Sequence, residues 1–441
     1  MTTIISFIIV LGVLIFIHEL GHFLVAKYSG VGVEKFSLGF GPKIFGITSG
    51  ETEYRLSLLP LGGYVKMVGE SATEAISEED KLRSFNNQPV LNRAAIVAAG
   101  PIMNLVLAAV LLPIIFMIGI QLPAYLEKPV LVGYVAPGEA ADKAGIKAGD
   151  AVATIDGHPI RDWEEFLEEF ALNPGRQMKA GVVREGQMLH LDIVPDTSEK
   201  TGVGYGGVYP PMKPLIGDVS EGYPAKAAGI QAGDLIISVD GKPLVHWAEL
   251  EGIIHKSGEK KIFVVARGEE TLTFEVTPKF NEDANVFLVG IARKEDYVVR
   301  KYGLFESIGK GYDAGLEMTE RLYLVVKGLV AGQYSLKTLG GPIMIAQVAG
   351  KAAETGLAEV LSLMAFLSLQ LGIINLFPIP VLDGGHIMFF GFEAIKGKPL
   401  SERFMAVCQQ IGIVLLIGLM VLVTYNDLLR IFGDKIAAIF G

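Results

Sequence analysis

His18-Glu19-Leu20-Gly21-His22 fits H-E-x-x-H. On a helix, positions i and i+4 share one face, so both imidazoles reach a single metal ion. Glu19, one position on from His18, is placed to take a proton from water at that ion. The surroundings sharpen the reading: Ile4 to Val25 is otherwise uncharged and long enough to cross a hydrocarbon core, which takes about 20 residues of helix. An ionisable side chain near the bilayer centre costs ~2.5 kcal/mol or more, and three together need a reason. A metal supplies one. Catalytic zinc usually has three protein ligands and an open fourth position, so one ligand has to come from elsewhere in the chain.

The elements that would carry such a site are legible in the hydropathy pattern. The chain has 441 residues, is 51% hydrophobic and has a mean hydropathy of +0.44, too apolar for an ordinary soluble enzyme of this size. Three further runs are long enough to span: Ala94 to Ile120, Leu357 to Val381 and Phe404 to Thr424. The first run lacks the basic start and small-residue cleavage site of a signal peptide. Leu322 to Ala331 is too short to cross and reads as a helix lying on the membrane surface. No Lys or Arg precedes the first run, whereas Lys27, Lys35, Lys43, Arg55, Lys66, Lys81, Arg83 and Arg93 follow it. That asymmetry places the first loop in the cytoplasm and the N-terminus outside. Residues 121–356 are then outside, and the loop Asp383 to Arg403 is inside. A net charge of −10 argues against a nucleic-acid partner. Cys408 is the only cysteine, so no intramolecular disulfide can form, and it reads as a small core hydrophobe.

By this orientation His18 and His22 lie toward the cytoplasmic end of the first span. Asp383 lies at the matching depth of the third, in Asn375-Leu-Phe-Pro-Ile-Pro-Val-Leu-Asp383-Gly-Gly. Pro378 and Pro380 lack an N–H and disfavour helix before them, so the helix should break there and expose backbone near the metal. Asp383, with a flexible Gly384-Gly385 flank, is the leading third ligand, and His386 is a weaker candidate. Asn375, Pro378 and Pro380 are candidate substrate contacts; Asn104 reads as an interhelical hydrogen-bonding residue. Glu53 to Met67 reads as a strand, a Pro/Gly turn and a second strand. Tyr54, Leu56 and Leu58 on that hairpin are candidates to hold an unwound substrate as an added strand.

The long outer segment contains a repeat. AGIKAGDAVATIDGHPIRDW from Ala144 aligns without a gap with AGIQAGDLIISVDGKPLVHW from Ala228, at an offset of about 84 residues. In each copy an alternating strand runs into an Asp-Gly turn, and a helix should begin near Trp163 or Trp247. The Ala-Gly-Ile-x-Ala-Gly-Asp pattern resembles PDZ domains of bacterial envelope proteases, which bind peptides by strand addition. The expected fold is a polytopic α-helical membrane protein with four transmembrane helices and an inserted pair of α+β PDZ domains. Its expected parts are 1–120, the two copies at 125–197 and 209–279, a linker at 280–356 with the surface helix, and 357–441. Neither copy shows an obvious basic residue beside its binding loop.

H-E-x-x-H in a first membrane helix, followed by N-x-x-P-x-P-x-L-D-G late in the chain, resembles the signature pair of the site-2 proteases. Ala99-Gly100-Pro101 with Asn104, Gly39-Phe40-Gly41 and Gly340-Gly341-Pro342 also look like this family. The resemblance implies one zinc ion held by His18, His22 and Asp383, with Glu19 as general base. It implies hydrolysis of peptide bonds in single-span membrane proteins: an anti-sigma factor already trimmed outside, and leftover signal peptides. It also implies a place in a bacterial inner membrane, with the PDZ pair in the periplasm and the active site toward the cytoplasm. Two other readings use the same residues: an ion transporter with a buried His/Asp site, and a non-catalytic PDZ adaptor. The absence of an inverted repeat among four spans weighs against the first, and the intact Glu19 against the second.

Overall fold

The computed structural model describes residues 2–70, 77–78, 80–198, 202–281, 286–332 and 339–440. Among them the α-helices, in chain order, are α1 (Thr2–Tyr28), α2 (Val90–Ile118), α3 (Ala140–Lys143), α4 (Trp163–Leu172), α5 (Pro224–Ala228), α6 (Trp247–Ile254), α7 (Leu304–Val330), α8 (Pro342–Thr355), α9 (Leu357–Asn375), α10 (Asp383–Lys396) and α11 (Glu402–Phe440). The chain forms two compact units, 1–120 with 300–441, and 121–299.

In the first unit four helices are long and apolar enough to cross a membrane: α1, α2, α9 and the Arg403–Leu429 part of α11. Lipid offers little hydrophobic drive for helix association, so close backbone approach through small residues matters more. Gly21 of α1 lies directly on α2, where an added Cβ would come 2.7 Å from the Ala99 carbonyl carbon. Gly372 of α9 likewise meets α2, with a Cβ falling 2.7 Å from Leu105 Cδ2 and 3.0 Å from the Pro101 oxygen. The third span ends at Asn375 rather than Val381, because the helix cannot continue into Pro378 and Pro380. The expected surface helix at Leu322 to Ala331 is the last part of the longer α7. Gly311 of α7 packs on Pro113 of α2, while Leu304, Phe305, Ile308, Tyr312 and Tyr323 are exposed. One side of α7 therefore belongs to the bundle, and the exposed apolar side chains suit a lipid boundary.

Between α1 and α2 lies a sheet made by β1 (Val33–Ser49) and β2 (Thr52–Met67), each bent in its middle. Gly39 and Gly41 in β1 and Gly62 in β2 have positive φ, which permits the bends. Lys35 to Leu38 pairs with Lys66 to Gly63 on one side and with Glu53 to Leu56 on the other. The far half of β1, Phe45 to Ser49, pairs with Leu56 to Thr52. Two chain segments thus make four short strands side by side.

In the second unit the repeat is two copies of one fold. The first has a four-stranded sheet of Ala151–Ile155, His158–Pro159, Met178–Arg184 and Gln187–Ile193, with α3 and α4; the second has Leu235–Val239, Lys242–Pro243, Lys261–Arg267 and Glu270–Val276, with α5 and α6. The predicted Asp-Gly turns are present, with φ of 49° and 82° at Asp156 and Gly157 and of 51° and 75° at Asp240 and Gly241. Both helices begin at the predicted tryptophans, and Trp163, Phe166, Phe170, Leu250 and Ile254 are core. Each copy buries an aspartate that accepts a two-pronged bond from an arginine: Asp150 from Arg184, and Asp234 from Arg267, all at 2.7–2.8 Å. The expected boundaries fall short at the far ends. Val208 and Tyr209 pair with Val135 and Tyr134 in the first copy, and Ile291 to Arg293 pair with Val219 to Ile216 in the second. The first copy takes its last strand from Val208, in the expected connection, and Tyr209, expected to open the second copy; the second copy takes its own from the expected linker.

Candidate metal centre

α1 carries His18, Glu19 and His22 into the membrane unit, and the broken segment after α9 delivers Asp383 as the first residue of α10. The two histidines come within 3.2 Å at their Nε2 atoms. His18 Nε2 lies 3.2 Å from Asp383 Oδ2, and His22 Nε2 lies 3.7 Å from Asp383 Oδ1. All three potential ligand atoms fall within 4.8 Å of one another. Zinc bonds of ~2.0–2.2 Å at tetrahedral angles put ligand atoms about 3.3–3.6 Å apart, so this donor set fits that ion closely. The neighbouring helix is shaped for it: a Cβ on Gly100 of α2 would overlap the His22 ring and reach within 2.9 Å of His18 Cε1. His22 Nδ1–H donates to the Ile96 carbonyl at 2.9 Å, which leaves its Nε2 lone pair directed at the cluster.

Gly384 and Gly385 are buried in the first turn of α10, not a flexible flank. A Cβ on Gly385 would fall 2.6 Å from the Ile379 carbonyl carbon and the Pro380 Cα. The two glycines let the proline segment fold back over the helix start that bears Asp383. At the other end of α10, Glu393 accepts from Arg93 Nη2 of α2 at 2.6 Å, and that guanidinium lies 5.0 Å from the centre of the Phe390 ring. This clamp is absent from any local motif and links residues 300 apart.

Glu19 faces β2: a Cβ on Gly63 would come 2.9 Å from Glu19 Cγ. The strand beside the candidate base is therefore Gly63–Met67, not Tyr54–Leu58. Tyr54 is paired with both Phe36 and Ile47, and Leu56 with both Leu38 and Phe45. Tyr54 and Leu56 are therefore interior to the sheet, with a strand on each side of their backbone. The outer side of Gly63–Met67 pairs with no other strand among the described residues. Asn375 closes α9, with Pro378 and Pro380 in the segment that leads from it to Asp383.

In the 121–299 unit a groove runs between α6 and the last strand of the second copy, lined by Trp247, Leu250, Ile254, His255, Val289 and Ile291. His255 is a basic side chain that the sequence pattern missed. It ends α6, and its carbonyl accepts from Phe287 N–H. In the first copy the Phe170 ring packs directly on Gly206, leaving no room for a Cβ there.

Comparison with known proteins bears on the whole chain. The profile of peptidase family M50 matches residues 6–419. The chain is 37% identical to the regulator of sigma-E protease RseP of Salmonella typhimurium, across 97% of this chain and 98% of the relative. It is 37% identical to RseP of Escherichia coli over the same shares. A protein of Neisseria meningitidis, named as a candidate zinc metalloprotease, is 35% identical over 98% of this chain and all of its own. A solved PDZ domain of an SdrC-like protein from Listeria monocytogenes covers 20% of this chain and 90% of its own, at 22% identity and a TM-score of 0.18. With the H-E-x-x-H helix, the aspartate that closes on it and a family match running through both halves of the membrane unit, the chain belongs to peptidase family M50, the site-2 type of membrane zinc metalloprotease.

Proposed function

We propose that His18, His22 and Asp383 hold one zinc ion and that Glu19 is the general base for cleavage of single-span membrane proteins. The convergence of three ligand atoms from α1 and α10 within 4.8 Å carries this reading. When bound, zinc polarises the scissile carbonyl and makes water a better nucleophile. The chain's own residues do the rest. Glu19 accepts the proton of the attacking water and passes it to the departing amine. The edge at Gly63–Val65, on whose outer side no other strand pairs among the described residues, holds the substrate backbone extended, because a helical substrate hides its carbonyls in its own hydrogen bonds. Asn375 and the turn at Pro378 and Pro380 flank the substrate from the other side.

The names of the relatives point to a signalling role, and the substrates we assign are an anti-sigma factor left by an earlier outer cut and remnant signal peptides. The Lys/Arg asymmetry supports a cytoplasmic position for the β1–β2 sheet and a periplasmic one for 121–299, in a bacterial inner membrane. The two outer copies are read as PDZ domains that screen substrates by size. The open groove beside His255 favours a second reading, in which the second copy captures a newly made C-terminus.

The test is paired zinc and cleavage measurement on the purified chain. Glu19→Gln keeps about one zinc per chain and loses proteolysis; His22→Ala and Asp383→Ala lose or loosen the metal as well. Full zinc occupancy with unchanged cleavage in Asp383→Ala would remove it from the ligand set.

A further inference from the structure

Two imidazoles that bind one metal through Nε2 must each carry their proton on Nδ1, and that proton needs an acceptor. His22 has one, the Ile96 carbonyl. Opposite His18 Nδ1, at 3.2 Å, stands the side-chain amide of Asn104 on α2, with Nδ2 nearest. In that orientation the amide donates to His18, which would leave the proton on Nε2 and block the metal face. Its Oδ1 is meanwhile buried with no partner, and Asn104 is 1% exposed. A buried amide with one half unsatisfied costs stability relative to an apolar side chain of similar size. Fold stability therefore does not account for an asparagine here.

The backbone at this residue is fixed independently of the side chain. The Asn104 carbonyl accepts from Ser368 Oγ of α9 at 2.7 Å, and Ser368 is fully buried. Gly100, one turn earlier, supplies the space into which both imidazoles fit. The Asn104 side chain is thus held at hydrogen-bonding distance from His18 Nδ1, and a half-turn of its amide puts Oδ1 there instead.

We propose that Asn104 is a positioning residue for the metal centre: through Oδ1 it accepts the Nδ1–H of His18 and fixes the tautomer and ring orientation in which Nε2 faces the metal. This inference rests on the reading of His18, His22 and Asp383 as zinc ligands. It gives the two histidines matching supports from a single helix, a main-chain carbonyl for His22 and a side-chain one for His18. No proton is gained or lost; the amide selects between two neutral forms of the ring.

The experiment uses the full chain in detergent and measures zinc affinity by chelator competition. Asn104→Leu removes the acceptor at similar volume and should weaken zinc binding about 10–100-fold. Asn104→Asp, which in its charged form can only accept, should restore affinity to within about threefold of the unchanged chain. Unchanged affinity in Asn104→Leu overturns the proposal, as does Asn104→Asp binding no better than Asn104→Leu. If His22→Ala also keeps full affinity, the ligand reading itself fails, and the two failures are told apart. Should Asn104→Leu not fold, nitrogen NMR of the histidine-labelled, zinc-loaded unchanged chain decides. A protonated Nδ1 on His18, coupled across its hydrogen bond to the Asn104 side-chain carbonyl, supports the assignment; absence of that coupling overturns it.

Discussion

His246 shows how much one buried imidazole can carry outside the membrane. It caps α6 by accepting from Ala248 N–H through Nδ1 at 3.1 Å, and donates from Nε2 to the Pro210 carbonyl at 2.8 Å. Its ring stacks on Tyr134 of the first copy, 5.0 Å away and 9° from parallel. Both nitrogens are used in the neutral form, and protonation would aim an N–H at the Ala248 N–H. Burial, aided by the charge of Arg293 and outweighing the Pro210 bond and Glu249, holds its pKa below 6.5. The unfolded chain then binds the proton first as pH falls, so this contribution is complete above about pH 6.5 and fades below it. The thermal midpoint of the 121–299 unit should be level above that pH and drop toward about pH 5. His246→Asn keeps a capping oxygen without a titration and should flatten the drop. An identical drop in the variant would assign it to other groups. Asp150 and Asp234 act in a separate window. Burial raises each, but the bonds from Arg184 with Lys147 N–H, and from Arg267 with Gln231 N–H, win and hold both below 3.8. Their stabilisation is complete above that value and is lost as pH falls through the lowered folded values.

At the scale of elements, the membrane helices, the helix break at Pro378 and the two outer copies were legible, because each rests on periodicity or turn chemistry within a short window. The β1–β2 sheet was not. Gly62 and the Pro60 turn look like a hairpin tip, and the strands on either side look like each other's partners. Both pair with β1 instead, since the bends at Gly39 and Gly41 bring a third and a fourth strand alongside. Strand partnership is set by long-range packing that a local turn signal does not contain. The His18–Asn104 and Arg93–Glu393 contacts were hidden for the same reason, each joining helices far apart in sequence. The corrected pairing moves the test of substrate binding to Tyr64 and Val65. Neighbouring N–H groups on an edge strand point alternately inward and outward. A proline at one of these two positions should therefore remove an outward donor and slow cleavage of a helical substrate about tenfold while zinc stays bound. If neither proline alters the rate, the edge does not hold substrate. Proline at Leu56, paired on both sides, should instead disrupt the sheet.

For the whole molecule, the charge asymmetry predicts that a cysteine at Gly397 resists an impermeant thiol reagent in intact cells and one at Ser257 reacts. The reverse pattern would invert the chain in the membrane. Joining residue 120 to residue 300 through a short linker deletes the outer unit along its own boundaries. Under size screening, the shortened protein should cut untrimmed substrates that the full chain rejects. Under capture by the second copy, it should instead cut trimmed substrates more slowly, and the last residue of the substrate should matter. Unchanged rates on both would leave the unit as a spacer or a dock for something else. The division of the chain has a further consequence for biosynthesis. His18 and His22 leave the ribosome early, in the first helix, but Asp383, and Glu393 that pairs with Arg93, follow only after the entire 121–299 unit. If His18, His22 and Asp383 are the zinc ligands as proposed, a nascent or prematurely ended chain carries a two-histidine half-site with no third ligand. On that assignment the protease is not armed until nearly all of it has been made, and the order of synthesis itself acts as a safety catch.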